Sequence, residues 1–121
     1  MNEDVVVVLV TCATMEDATR IARHVVEGRK AACVNILPQI RSIYRWEGEI
    51  EDDPEQLLII KTTRVMFEAL STAIREVHPY SVPEILALPV TDGYDGYLRW
   101  VCESVGPEPA PNAASSVEEP A

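Results

Sequence analysis

Between Ala32 and Thr63 the sequence spells one long β-hairpin. Its turn reads "EGE" at Glu47 to Glu49, with Gly48 at the tip, where glycine supplies the left-handed backbone a tight hairpin needs. "VNILPQIRSIYRW" leads into the turn, and a run ending in "QLLIIKTT" leads out of it. Each arm extends for about a dozen residues, where an ordinary strand has roughly 5–6. Pro38 has no N–H for the ladder, so it predicts a bend or bulge and an edge position for the first arm. Any sheet holding this hairpin must be built around arms longer than their neighbours.

The flanking segments supply those neighbours. Val5 to Val10 is an unbroken apolar run rich in β-branched residues, the pattern of a central strand buried on both faces. Thr14 with Asp17 resembles a capping box, and Ala18, Ile21, Ala22, Val25 and Val26 follow at helical spacing, with Gly28 near the helix end. Phe67, Leu70, Ile74 and Val77 mark a second helix. Pro79 cannot continue it and drives His78 out of helical geometry. Glu84 to Val90 reads as a fourth strand. Tyr94, Tyr97, Leu98, Val101, Cys102 and Val105 form the apolar face of a last helix.

The order β-α-β-β-α-β-α predicts an α+β ferredoxin-like sandwich with an added C-terminal helix. Two split βαβ units with right-handed crossovers give the sheet order 4-1-3-2. The two most uniformly apolar runs then occupy the central strands. The domain is expected over residues 1–105. From Gly106 the segment "GPEPAPNAASSVEEPA" lacks aromatic and basic residues, so 106–121 reads as a disordered acidic tail.

The short first and fourth strands leave the hairpin overhanging, with Ile40, Ile43, Tyr44 and Trp46 exposed. A soluble acidic chain covers such edges by pairing with copies of itself. A hairpin folded back at Pro38 is the alternative. The net charge of −10 argues against nucleic acid, because phosphate neutralisation needs clustered Lys and Arg. No basic amphipathic helix suits a membrane surface, and the apolar run near the N-terminus is too short for a bilayer span or a signal sequence. A cytoplasmic protein is expected. Cys12, Cys33 and Cys102 are odd in number and contain no C-x-x-C, so they read as buried thiols rather than a disulfide framework or zinc knuckle.

"AACVNILPQIRSIYRWEGEIEDD", "LLIIKTT", "HPYSVPEILALPV" and "YLRWV" together resemble the CutA family of divalent-cation tolerance proteins, in one register from about Val5 to Val105. The resemblance implies a ferredoxin-like subunit and a homotrimer held by the long hairpins. It also implies weak binding of copper or another divalent metal ion, a part in the response to metal ions, no enzymatic activity and no required cofactor. The sequence departs from the family in places. Ser81 stands where many members have glutamate, Val77 where some bacterial members begin a His pair, and Val10 where those members have a cysteine. Of the family's proposed copper ligands, His78 is carried over at its matched position, while Cys12 fills a nearby position that other members use.

The topology brings candidate residues together. Cys12 ends the first strand, His78 precedes the fourth, and these strands are neighbours, so both share one end of the sheet with the hairpin tip. Cys33 begins the second strand at the opposite end, roughly 20 Å away at about 3.3 Å per residue. Thiolate and imidazole suit soft or borderline ions, which makes His78 with Cys12 the candidate metal site. A third ligand could come from Glu84, water or a neighbouring chain. The alternative is a His78 that caps its helix, where a partly cationic imidazole meets the dipole. Trp46, Lys61, Tyr80 and Glu84 are expected to line a ligand pocket or contact between subunits, Lys61 meeting Glu84 only across a subunit boundary. The acidic stretch "EGEIEDDPE" reads as a solvated face.

A competing function is that of a trimeric signalling protein binding a small ligand in the clefts between subunits. The nitrogen-regulatory PII proteins share this fold and assembly, which is analogy of fold alone. An acylphosphatase would need an anion cradle after the first strand, but "CATMEDAT" is acidic there. An RNA-recognition domain would need exposed aromatics on its central strands, and these are aliphatic.

Overall fold

A computed structural model describes residues 4–108. It contains β1 (Val5–Cys12), α1 (Met15–Glu27), β2 (Cys33–Trp46), β3 (Glu49–Thr63), α2 (Phe67–Val77), β4 (Ile85–Pro89) and α3 (Asp95–Ser104). The strands form one sheet in the order β2-β3-β1-β4, every neighbouring pair antiparallel. β1 and β2 are therefore parallel and split by β3, while β3 and β4 are parallel and split by β1. This is the mixed α+β topology that the element order predicts. Residues 109–121, most of the expected tail, lie outside the described residues. No helix among the described residues is long and apolar enough to cross a membrane.

Alternation along the central strands decides where the core sits. Val6, Val8, Val10 and Cys12 of β1 and Leu58 and Ile60 of β3 face α1 and α2. There they meet Ala18, Ile21 and Val25 of α1 and Leu70, Ala73 and Ile74 of α2. Each fully buried Leu, Ile or Val side chain contributes about 1.5–3 kcal/mol. The Asp17 N–H donates to Thr14 Oγ1 at 3.0 Å, which is the predicted cap of α1.

The other face differs from the expectation that β1 is buried on both sides, since Val7 and Leu9 are only half-buried. Pairing places Leu86, Leu9, Ile59 and Asn35 in one row across this face, with Thr11, Leu57 and Leu37 in the next. α3 is the element that packs here, over the end where Tyr97 lies against Cys33. Beyond it Leu86 is 55% and Leu37 50% exposed. Two further side chains read as apolar-face positions are also exposed. Val26 sits on the outer side of α1, and Tyr94 is the N-cap of α3 rather than part of its buried stripe.

The hairpin is as overlong as predicted: β2 has 14 residues and β3 has 15, against 8 in β1 and 5 in β4. Glu47 and Gly48 have φ of 51° and 82°, the two-residue type I′ geometry that suits strand twist. At Pro38 the pairing jumps from Leu37↔Leu57 to Ile40↔Glu55, which is the expected bulge on an edge strand. Gln39 adopts φ 61° there and its N–H donates to Gln56 Oε1 at 3.1 Å. Gln56 Nε2 in turn donates to the Ala13 carbonyl at 3.2 Å, stitching the bulge to the end of β1.

The chain leaves α1 through Arg29 at φ 59°, not through Gly28, whose φ is −84°. The Arg29 side chain then crosses to the C-terminus of α3. Its Nε donates to the Gly106 carbonyl at 2.7 Å and its Nη2 to the Glu103 carbonyl at 3.1 Å and the Pro107 carbonyl at 3.4 Å. The first residues assigned to the tail are thus tied to the domain.

Candidate functional site: a cleft beside the hairpin

The loop "HPYSVPE" between α2 and β4 builds one wall of a cleft. Pro79 forces His78 to φ −80°, ψ 130°, so α2 stops and the imidazole turns toward β1. Nδ1 accepts the Tyr80 N–H at 3.1 Å, which leaves the proton on Nε2, and Nε2 donates to the Thr11 carbonyl at 2.8 Å. His78 is buried, and its ring lies 4.7 Å from that of Tyr80. The imidazole therefore reaches across to β1 instead of capping the carbonyls of α2.

Tyr80, held in this way, donates its hydroxyl to Glu55 Oε2 at 2.6 Å. Glu55 is 5% exposed, an uncommon burial for a carboxylate. Burial, and after it the Glu55 carboxylate, pushes the Tyr80 hydroxyl well above the ordinary phenol range, so it stays a donor. Glu84 lies at the mouth of the cleft. Loss of water on its inner side and the charge of Glu55 raise its pKa.

The hairpin forms the opposite wall. Past the bulge, Ile40, Ser42, Tyr44 and Trp46 pair with Glu55, Asp53, Glu51 and Glu49 and so share a face with them. The Tyr44 hydroxyl donates to Asp53 Oδ2 at 2.8 Å, and that bond, with partial desolvation, pushes its pKa up to about 12. Arg41 meets Asp52 through two bonds of 2.8 and 2.7 Å. Between the walls lies a cavity of about 690 Å³, within the size range of small-molecule sites.

Trp46, Tyr80 and Glu84, expected to share a pocket, all line this cleft. Lys61 does not join them. It lies at the other end of the sheet, bonded to Asn35 Oδ1 and 3.9 Å from Cys33 Sγ. Cys12 shares the end of the sheet with His78, as the topology requires, but its side chain points into the core under α1. Its thiol donates to the Thr14 carbonyl at 3.6 Å. Burial above all, with the charges of Asp17 and Glu55, pushes its pKa up to about 11. No group of three His, Cys, Asp or Glu among the described residues could hold a metal ion. A metal at His78 would have to displace either the Thr11 carbonyl or the Tyr80 N–H.

Sequence reasoning missed Glu55, the buried carboxylate in the lining of the cleft. It belongs to an acidic run read as solvated, yet it precedes Leu57 and Ile59 at strand period on the same face. That continuation was the available signal.

Residues 6–104 match the CutA1 divalent ion tolerance protein family. The divalent-cation tolerance protein CutA of Thermus thermophilus is 50% identical over 100 residues, covering 83% of this chain and 97% of that protein. Protein CutA of Mus musculus is 54% identical over 92 residues, covering 76% of this chain; the chain spans 52% of the length of that relative. The crystal structure of CutA1 from Oryza sativa superposes with a TM-score of 0.84 at 41% identity, over 87% of this chain and 96% of the other.

Proposed function

This chain belongs to the CutA1 divalent ion tolerance family, and from that premise we propose a non-enzymatic homotrimer that binds copper or other divalent metal ions weakly and takes part in the response to them. One observation carries the binding part. Glu55 and Glu84 converge on a single cleft next to His78, where desolvation first and then the charge of Glu55 raise the pKa of Glu84. Two like charges held together favour a cation between them. Weakness follows from the bonds that His78 and Cys12 already make, which a metal must break. Those same bonds leave His78 without a lone pair for base catalysis, which supports a non-enzymatic role.

The trimer is supported by the uncovered apolar rows of the sheet and by the hairpin that outruns β1 and β4. Calorimetric titration of Cu(II) into wild type, His78→Ala and Glu84→Gln tests the binding. Weak heats reduced several-fold in Glu84→Gln are expected. Identical curves for all three proteins would remove the metal from both positions. Light scattering coupled to size exclusion tests the assembly, and a monomer at micromolar concentration would overturn it.

The volume and aromatic wall of the cleft favour a second reading, a signalling trimer that binds a small ligand there, on the pattern of the PII proteins.

A further inference from the structure

We propose that the cleft takes an organic ammonium ion, seated against Tyr44, Trp46 and Tyr80 and balanced by Glu55 and Glu84. The inference rests on the reading of this cleft as a cation or small-ligand site and names the chemistry of the ligand.

Three aromatic side chains and two carboxylates line one cavity. Aromatic faces attract cations through the ring quadrupole, with tryptophan the strongest, and such cages recognise alkylated ammonium groups. Both tyrosines are tuned for this. The Tyr80 hydroxyl donates to Glu55 at 2.6 Å and the Tyr44 hydroxyl to Asp53 at 2.8 Å. A phenol that leans its proton toward an anion has a more electron-rich ring. Tyr80 is also fixed in place by His78, through a 3.1 Å bond to its backbone and a ring contact at 4.7 Å. His78 thereby acts as a positioning residue for the cleft.

Charge selects against other ligand classes. Arg41 is the basic side chain of the lining, and Asp52 holds it through two bonds, so its charge is already answered. An anion would meet two uncompensated carboxylates. A bare metal ion is held only weakly there, because it needs about four to eight ligand atoms in a defined shell and no group of three His, Cys, Asp or Glu suited to one exists among the described residues. An alkylammonium needs no such shell. Its carbons rest on the rings while its diffuse charge is matched at a distance by the carboxylates.

The test is titration of the full-length protein at pH 7 with choline and with its neutral carbon isostere, 3,3-dimethylbutan-1-ol. Copper(II) forms a separate arm. Choline is expected to bind, with the isostere about tenfold weaker. Trp46→Ala is a substitution at a 42% exposed position that leaves the core untouched. It is expected to weaken choline about fivefold or more, and Glu84→Gln to do the same, with circular dichroism unchanged. Equal binding of choline and the isostere overturns the inference, since the cleft would then be merely apolar. Choline binding indifferent to both substitutions overturns it as well. If choline fails while copper binding persists and depends on Glu84, the ammonium inference falls and the metal reading stands. If neither binds, both fall.

Discussion

The Tyr80 hydroxyl donates to Glu55 at 2.6 Å and so ties the loop before β4 to the middle of β3. The bond answers a carboxylate that is almost wholly buried, and its loss would leave that charge without its partner. Tyr80→Phe is expected to destabilise the protein by about 1–3 kcal/mol. Glu55→Gln combined with Tyr80→Phe should cost less than the sum of the two, with a coupling of about 0.5–3 kcal/mol. Urea denaturation at a fixed protein concentration measures both quantities.

Glu84 gives a pH signature. Its pKa is raised in the folded chain, so the folded state holds that proton more tightly than the unfolded state does. The ionised carboxylate therefore costs stability at neutral pH, and the cost fades as pH falls through the raised value. Glu84→Gln is expected to melt slightly above wild type at pH 7. The gap should close below the ordinary carboxylate range. A gap that widens in acid would contradict the assigned direction.

Cys12 is a thiol that does not ionise under ordinary conditions. With its pKa pushed up to about 11 by burial and by neighbouring carboxylates, only about one molecule in a thousand carries the thiolate at pH 8. Iodoacetamide is expected to spare Cys12 in the native protein and to label it in urea, as read by peptide mass spectrometry. Rapid native labelling would show that this end of β1 opens readily.

Arg29 combines a left-handed backbone with a guanidinium that holds three carbonyls at the end of α3. Arg29→Ala loses the bonds and keeps the strain, for an expected loss of about 1–2 kcal/mol. Arg29→Gly loses the bonds but relieves the strain, so it is expected to be about 1 kcal/mol the more stable of the two. Thermal melts of both variants decide the order.

Leu86 tests the uncovered face. It is 55% exposed in one protomer, so Leu86→Glu leaves the protomer core intact. As a dissociated subunit of the proposed trimer, the variant is expected to run at about one third of the assembled mass while keeping its circular dichroism. An unchanged mass would place the subunit contact elsewhere.

Much of this arrangement was legible in the residues. The two apolar runs fell on the central strands, Pro38 marked the bulge, and Pro79 ended α2 at His78, because each depends on local backbone chemistry. The sharing of one sheet end by Cys12 and His78 followed from topology. What stayed hidden depends on which face a side chain takes. β1 reads as buried on both sides, yet Val7 and Leu9 face a layer that α3 only partly covers. Glu55 reads as one more solvated acid, since nothing in its neighbours announces a tyrosine arriving from 25 residues further along the chain. Lys61 lies at the end of the sheet away from Glu84, as strand direction requires, so it stands apart from the cleft within one protomer and the expected pairing with Glu84 is one between subunits.

The extra residue at Gln39 sets which side of the ribbon is which. Strand side chains alternate, so a regular ladder running on from Leu37 with Gln39 still in it would swap Tyr44 and Trp46 for Ile43 and Arg45 along the whole outer half of β2. The aromatic wall would turn to the back, although no residue of the cleft had been replaced. One backbone irregularity outside the cleft therefore decides which side chains the cleft receives.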